Sequence, residues 1–476
     1  MRGAASVAGL AAAAALAGCA AVGPNFQRPA ALVSPQFKEI AGWKVASPKA
    51  SESKGDWWSV FHDPELSRLE EAVAISNQTV KSDEANYREA LALINEARAG
   101  LFPTVNGTGS ATRSSSAGTT LTAEASGTWT LDIWGQVRRE IEAQTAGAEA
   151  TAGTLANALL AEQSALALAY VQVRYSDSLE DLLTRTVEEY KRSLTITQNQ
   201  YAAGTAAKSD VITAEAQVLN AQSQLIAAGV TRAQSEHAVA VLMGRPPAGL
   251  SIPHGLLATR VPSIPVSLPS ALLERRPDVA AAEETMRQAN AEIGVAFAGY
   301  FPAVSISGLV GYSGNPFAAL YGPSNPVWSF GASLAQPLFN GGLTGAQVES
   351  ARETYDSQVA TYRETVLTAI QQVEDNLAGI RILSQEVKVQ AEDVRISRQA
   401  TQIALNEYRA GTQAFTAVVV AEAQQLTAEE ALLATQAQLQ TDAVSLIVAL
   451  GGGWSQSKLP DAATDSALPP AAAASN

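Results

Sequence analysis

The sequence predicts a mixed α and β chain laid out as two copies of one plan, with four amphipathic strands set among long helices. Three observations predict it. The first is internal repetition. Leu101-Phe102-Pro103 recurs as Tyr300-Phe301-Pro302 about 199 positions on; Tyr201-Ala202-Ala203-Gly204-Thr205 and Val241-Leu242-Met243-Gly244 recur as Tyr408-Arg409-Ala410-Gly411-Thr412 and Val448-Ala449-Leu450-Gly451, each about 207 on. The second is a two-residue alternation immediately after each Phe-Pro landmark. The third is a pair of long stretches poor in Gly and Pro, from about Gln136 to Gln200 and from about Gly345 to Glu407, each close to 100 Å long if helical.

The leader comes first. Met1 and Arg2 precede an Ala/Leu-rich run ending in Leu16-Ala17-Gly18-Cys19, too short to span a bilayer, so residues 1–18 read as a secretory signal peptide. Leu-Ala-Gly-Cys resembles a lipobox, which makes Cys19 the mature N-terminus, carrying S-diacylglycerol on its thiol and an N-acyl chain on its amino group. Cys19 is the only cysteine, so no intramolecular disulfide can form. Ala20 leaves outer-membrane sorting open, and several acyl chains anchor firmly where one holds only marginally.

An extended N-terminal segment, 19–63, leads into a first repeat over 64–243. Helices are expected from Pro64 to Ala99, Gln136 to Gln200 and Ala206 to Leu242, with strands at about 103–113 and 121–132. Leu121, Ala123, Ala125, Gly127, Trp129 and Leu131 share one strand face; Thr122, Glu124, Ser126, Thr128, Thr130 and Asp132 share the other. Val105, Gly107, Gly109 and Ala111 make a matching apolar row, and residues 114–118 supply the turn. A Pro-rich connector spans 244–269. The second repeat, 270–454, offers helices at Leu272–Phe297, Gly345–Glu407 and Ala414–Leu450. Its strands, at about 303–313 and 327–337, carry the apolar rows Val304, Ile306, Gly308, Val310, Tyr312 and Trp328, Phe330, Ala332, Leu334. The Ala/Pro/Ser tail, 455–476, is expected to be disordered.

Only 16% of residues are charged and 6% aromatic, which suits long packed helices such as one with Leu179, Leu182, Leu183, Val187 and Tyr190 at coiled-coil-like spacing. A formal charge of −14 argues against a nucleic-acid partner. No mature segment holds eighteen successive apolar residues, so a membrane crossing here must be made of strands. Such strands suit an outer-membrane wall, and a half-buried soluble sheet would alternate in the same way. Four strands cannot close a barrel, since membrane barrels start at about eight, so several chains must share one wall; three would leave a lumen. Tyr201–Thr205 and Tyr408–Thr412 read as hairpin tips, Gly204 and Gly411 letting the chain reverse.

In order along the chain stand Gly23-Pro24-Asn25-Phe26, Asp56-Trp57-Trp58, Asp63-Pro64-Glu65-Leu66, Leu131-Asp132-Ile133-Trp134-Gly135, Leu272-Leu273-Glu274-Arg275-Arg276-Pro277-Asp278-Val279 and Gln336-Pro337-Leu338-Phe339-Asn340-Gly341-Gly342. Taken together, over about residues 16 to 454, they resemble the outer membrane factor family of efflux lipoproteins, the TolC-like proteins of the NodT and OprM type. The resemblance implies a homotrimer with a twelve-stranded outer-membrane barrel, a coiled-coil periplasmic tunnel of twelve helices, and an equatorial belt that includes segment 19–63 and the connector. It also implies a periplasmic adaptor (membrane fusion) protein docked at the tunnel tip and an inner-membrane pump of the RND type.

That points to passive conduction through an exit duct gated at its helical tip. No catalytic constellation is present: His62, His237 and His254 are scattered without a metal-ligand pair, and no phosphate loop or nucleophile elbow occurs, so no enzyme activity and no cofactor beyond the acyl groups is expected. Arg409, beside Tyr408, is the leading candidate for a closing latch, because a guanidinium can bridge carbonyls or carboxylates of a neighbouring hairpin; Asp210 is a possible acidic partner. Where some relatives place a Leu and then an Asp facing the lumen, this chain has Thr416 and Val420, so a softer constriction without a carboxylate ring is expected. Trp57, Trp58 and Arg275–Asp278 read as packing and capping features, and Trp129, Trp134 and Trp328 as interfacial anchors. A structural coiled-coil lipoprotein tethered to the outer membrane is the alternative, although it gives no reason for four duplicated amphipathic strands.

Overall fold

The computed structural model describes residues 21–31, 33–39, 56–115, 118–262, 264, 272–314, 326–454 and 461–462. The signal segment, Cys19, Ala20 and most of the tail therefore lie outside the described residues.

Each repeat folds as helix, two strands, long helix, shorter helix. A 3-10 turn, Trp57–Phe61, leads into α1 (Pro64–Ser76) and α2 (Gln78–Ala99); β1 (Thr104–Ser114) and β2 (Gly118–Leu131) follow, then α3 (Gln136–Ala202) and α4 (Lys208–Leu242). The second copy runs α5 (Leu272–Arg275), α6 (Pro277–Ala298), β3 (Ala303–Gly314), β4 (Pro326–Ala335), α7 (Leu343–Arg409) and α8 (Phe415–Ala449). Both α3 and α7 have 67 residues, hence a length of roughly 100 Å at about 1.5 Å per residue. No helix of the described residues is long and apolar enough to cross a membrane.

Two helices expected to be continuous are broken. The stretch Pro64–Ala99 stops at Asn77, whose extended backbone ends α1 while its side chain caps Val80 N of α2 at 3.1 Å. The stretch Leu272–Phe297 stops at Arg276, because a residue before proline disfavours the helical region, and Pro277 then opens α6. These breaks are where helices from different parts of the chain meet end to end. The Asn77 amide donates to Leu242 O at 2.8 Å and the Ser76 hydroxyl to Met243 O at 2.6 Å, so α4 runs on into α2. In the second copy Arg276 donates to Ala449 O at 3.1 Å, placing α8 end-on against α6. Gly244 and Gly451, both at positive φ, make the two junctions: a Cβ on either would collide with the backbone oxygen of Ser76 or Arg275 at 2.0 Å. Each long helix is thus flanked by two shorter ones in line.

The main core sits at these junctions. Trp57 and Trp58, edge to face with centroids 5.9 Å apart, join Leu69, Val73, Tyr170, Val279, Met286, Tyr362, Val373 and Leu446 in one buried cluster that ties the two repeats together. The connector is belted to the same level by ions. Asp177, fully buried, accepts from Arg174 at 3.2 Å, Arg232 at 2.7 Å and Gly255 N at 3.0 Å, while Arg232 and Arg174 donate to the carbonyls of Ile252 and Pro253. The expectation of an unstructured tail also needs amending at one point, since Ala462 is buried against Ile94 and Ala148.

Candidate functional site

The strands form one antiparallel sheet in the order β1-β2-β3-β4. Its register decides what the sheet can do. Ala111, Gly109, Gly107 and Val105 sit opposite Leu121, Ala123, Ala125 and Gly127; Leu131, Trp129, Gly127, Ala125 and Ala123 sit opposite Val304, Ile306, Gly308, Val310 and Tyr312; and Val304, Ile306, Gly308 and Val310 sit opposite Leu334, Ala332, Phe330 and Trp328. All four apolar rows predicted from sequence therefore coincide on one face. The other face is mostly Thr, Ser and Asn, with Glu124 at mid-length; Leu309 and Val327 are its larger apolar side chains. Val105, Val310, Trp328, Phe330 and Leu334 are more than 60% exposed on the apolar face, an arrangement stable in lipid rather than water. Trp129 lies near the helical end of the sheet and Trp328 near the turn end, as two interfacial girdles require. Trp134 differs from its sequence assignment: it stacks on Phe301 at 4.8 Å and donates to Pro302 O, bracing the strand-helix junctions.

The N-terminal segment is clamped to this junction. Val22 N donates to Trp134 O at 3.0 Å, and buried Arg139 reaches the carbonyls of Ala21, Val22 and Gly23 and the Asn25 side chain. Asn290 holds Pro24 O at 3.1 Å, and Arg28 pairs with Glu283. Residue 21 is thereby fixed at the foot of β2. Nothing in the sequence marked Arg139 for this role, because the N-terminal groups it holds lie more than a hundred residues away.

At the opposite end of the long helices, Gly204 and Gly411 both adopt φ +74° and close matching turns: Thr205 N returns to Gln200 O at 2.9 Å and Thr412 N to Glu407 O at 3.0 Å. Tyr408, a sequence candidate for the gate at the tip, is buried, its ring 5.2 Å from Phe415 in a cluster with Ala214 and Val418. Burial, with Asp210 adding to it, raises its phenol above the usual range. Asp210 is half-buried in the first turn of α4. Arg409 is exposed at the rim of a polar cleft between the hairpins, and among the described residues no acid pairs with it, Asp210 included. Thr416 and Val420 are both exposed, one turn apart on the same face of α8.

Two features escaped the sequence reading. The first is the set of bonds that stitch the hairpins together near the tip: Gln200 to Tyr408 O at 3.3 Å, Gln217 to Val419 O at 3.4 Å, Gln425 to Glu189 at 3.4 Å, and Ser193 to the buried carboxyl of Glu422 at 2.5 Å. An acid inside the apolar run Phe415–Leu426 was the available signal for the last. The second concerns His254, read as isolated, whose ring nitrogen lies within 4.8 Å of ligand atoms of Asp177 and Glu180. Asp177 is already held by two arginines, whose charge opposes a cation there, so the group belongs to the network that fixes the connector.

A sheet apolar on one face and wet on the other, joined at one end to a 100 Å helical stem, defines the wall and stem of an outer-membrane duct. Comparison with known proteins agrees. Residues 70–245 and 268–452, one stretch per repeat, match the family described as "Outer membrane efflux protein", and the chain belongs to that family. It is 29% identical to the antibiotic efflux pump outer membrane protein ArpC of Pseudomonas putida over 457 residues, 92% of this chain and 93% of that protein. It is 28% identical to nodulation protein T of Rhizobium leguminosarum bv. trifolii, over 92% of this chain and 95% of that one. Among solved structures it superposes on the outer-membrane channel OprN with a TM-score of 0.83 at 27% identity, covering 91% of this chain and 99% of that chain. It also superposes on the open state of the Neisseria gonorrhoeae MtrE outer membrane channel, with a TM-score of 0.79 at 26% identity, covering 92% and 99%. The protein is an outer-membrane efflux duct with a periplasmic helical extension.

Proposed function

We propose that three copies of this chain close a twelve-stranded barrel and a twelve-helix tunnel, anchored by acylated Cys19 and gated at the helical tip, through which small molecules pass passively from periplasm to exterior. The observation that carries the reading is the four-stranded sheet with one continuous apolar face and two free edges, β1 and β4. Lipid does not tolerate open edges, and pairing β4 of one copy with β1 of the next removes them all. Exposed apolar rows on the stem support the same closure: Ile382, Val389, Ile396 and Ile403 recur every seven residues on α7, as do Ile212, Leu219 and Ile226 on α4, and each is about half exposed or more. Seven-residue rows of this kind seek another helix.

The clamp on Ala21 supports acylation of Cys19. Cys19 stands only two residues upstream in sequence of this point fixed at the barrel foot, which suits an anchor in the periplasm-facing leaflet. Energy comes from an inner-membrane pump, of RND type by resemblance, through a periplasmic adaptor docked at the tip. No residue of this chain is assigned a chemical step; its own task is to prevent leakage. Arg409, without an acidic partner among the described residues and exposed at the cleft rim, acts as the latch toward a neighbouring hairpin.

Planar-bilayer conductance of the purified mature protein, beside an Arg409→Ala variant, tests both statements. Discrete channels that open more often in the variant support a latched duct. Wild-type channels unchanged by the variant keep the duct and discard the latch, and no insertion under any condition returns the chain to the tethered periplasmic alternative.

A further inference from the structure

Glu422 occupies a position that the duct reading alone does not explain. It lies on α8 two turns from the tip, 5% exposed, at the seam where α3 of the first hairpin meets α7 and α8 of the second. One carboxyl oxygen is 2.5 Å from the Ser193 hydroxyl of α3; the other is enclosed and makes no hydrogen bond. Beside it opens a cleft of about 520 Å³ whose charged lining is Arg185, Glu189 and Arg192 from α3, Arg398 and Arg409 from α7, and Glu429 from α8. The Tyr190 phenol of α3 lies close enough to feel the Glu422 charge, and from α4 the neutral Gln217 amide donates to Val419 O at 3.4 Å while Val218 and Ala221 pack on Tyr190.

An ionised carboxylate in that seat would have one hydrogen bond, an enclosed bare oxygen and Glu189 close by, so the closed seam favours the protonated form. Parting the hairpins breaks the Ser193, Gln200 and Gln217 bonds, admits water, and lets the carboxylate turn toward the arginines of the cleft. Charge on Glu422 and closure of the seam therefore oppose one another.

We propose that Glu422 is a proton-operated clasp: protonated, it holds the two hairpins of a protomer together near the tip, and losing its proton to water favours their separation. The inference rests on the reading of the tip as the gate of a duct. Burial pushes the Glu422 carboxyl up to about 7, Ser193 opposing and Glu189 adding to the shift. The raised value belongs to the closed seam, whose advantage is fully present below the ordinary carboxylate range and is lost as pH rises through about 7. With an ordinary carboxyl in the parted seam, the opening equilibrium rises roughly tenfold per protomer between pH 6 and pH 8.

The test is single-channel recording of the full mature protein at pH 6, 7 and 8, comparing wild type with Glu422→Gln and Ser193→Ala. Wild type is expected to open more often as pH rises. Glu422→Gln, which keeps the shape but cannot ionise, should remain at the acid-side level throughout, and Ser193→Ala should move the midpoint to higher pH. A pH rise that persists in Glu422→Gln, or channels of wild type indifferent to pH, overturns the clasp and leaves the duct intact; absence of channels in every variant overturns the duct reading first. Should Glu422→Gln fail to assemble, infrared titration of the wild type decides: a buried carboxyl band with a midpoint near 7 supports the clasp, and one near the ordinary carboxylate value overturns it.

Discussion

Placing one arginine on either face of the barrel sheet separates a membrane wall from any other kind of sheet. Ala125 stands near the middle of β2, exposed on the apolar face between Gly107 and Val310, and Ser126 beside it points to the polar face between Asn106 and Leu309. A strand of 14 residues tilted as in membrane barrels covers about 35 Å along the normal, so both positions fall near the bilayer midplane. Arginine facing lipid at that depth costs about 2–4 kcal/mol. Three copies raise this to about 6–12 kcal/mol per trimer, and even the low end for one copy shifts the insertion equilibrium roughly 30-fold. Ala125→Arg deletes almost no apolar surface, so nearly all of its effect is the cost of the charge. Ser126→Arg adds the same side chain to a water-filled lumen and should cost less than about 1 kcal/mol, the range of an ordinary surface change. The assay is urea-dependent folding into phosphatidylcholine vesicles, followed by the heat-modifiable shift of the folded band. Equal loss for the two variants, or a greater loss for Ser126→Arg, refutes the assignment of the apolar face to lipid.

Three further outcomes are expected. Asp177→Ala leaves Arg174 and Arg232 without their shared buried partner and frees Gly255 N, so it should cost about 3–5 kcal/mol and expose segment 247–262 to limited proteolysis; an unchanged melting temperature and cleavage pattern would refute the role of this network. Glu70 is fully buried with neither carboxyl oxygen hydrogen-bonded among the described residues, and burial pushes it up to about 9. Its contribution is therefore intact below the ordinary carboxylate range and lost as pH rises toward 9; Glu70→Gln should flatten that decline and raise stability at pH 8 by a few kcal/mol, on the order of 1.4 kcal/mol per unit of separation, as read by chemical denaturation. Val420→Asp restores a carboxylate on the exposed face shared with Thr416 and should convert weak ion selectivity to cation preference, whereas strong cation preference in the wild type that survives changes at Val420 would discard the softer constriction.

The strands were legible because a sheet with lipid on one side and water on the other enforces alternation at nearly every residue, and the register then brings Ala111, Leu121, Val304 and Leu334 to the face their spacing assigned. The hairpin tips were legible because Gly204 and Gly411 sit where the backbone needs positive φ. The breaks at Asn77 and Arg276 were hidden for a different reason. Helical periodicity continues across them, and only the end-on arrival of α4 and α8, each from a remote part of the chain, makes the interruption useful. The burial of Tyr408 was not legible, because it depends on Phe415, seven residues on, folding back over the ring. Glu422 was overlooked because a lone acid on a helix usually faces water, and its burial depends on Ser193, 229 residues earlier.

The two copies share a plan, yet their tips are built for different work. Tyr201 of the first tip is 46% exposed, while Tyr408 at the matching place in the second is 5% exposed. The difference follows from one substitution within the repeat: Phe415, which covers Tyr408, is matched by Lys208, which cannot cover Tyr201. The second tip is therefore tied into a core that includes Ala214 of the first hairpin, while the first tip presents its tyrosine to solvent. Charges are arranged differently as well: Glu407 and Arg409 of the second tip are matched by Gln200 and Ala202, while Lys208 and Asp210 of the first are matched by Phe415 and Ala417. Around a trimer the hairpins then alternate in kind. Six equivalent hairpins would offer no distinct element to move, whereas alternating tips make neighbouring hairpins chemically distinguishable. Duplication supplied the length of the helical stem, and divergence at a few positions made its two tips different.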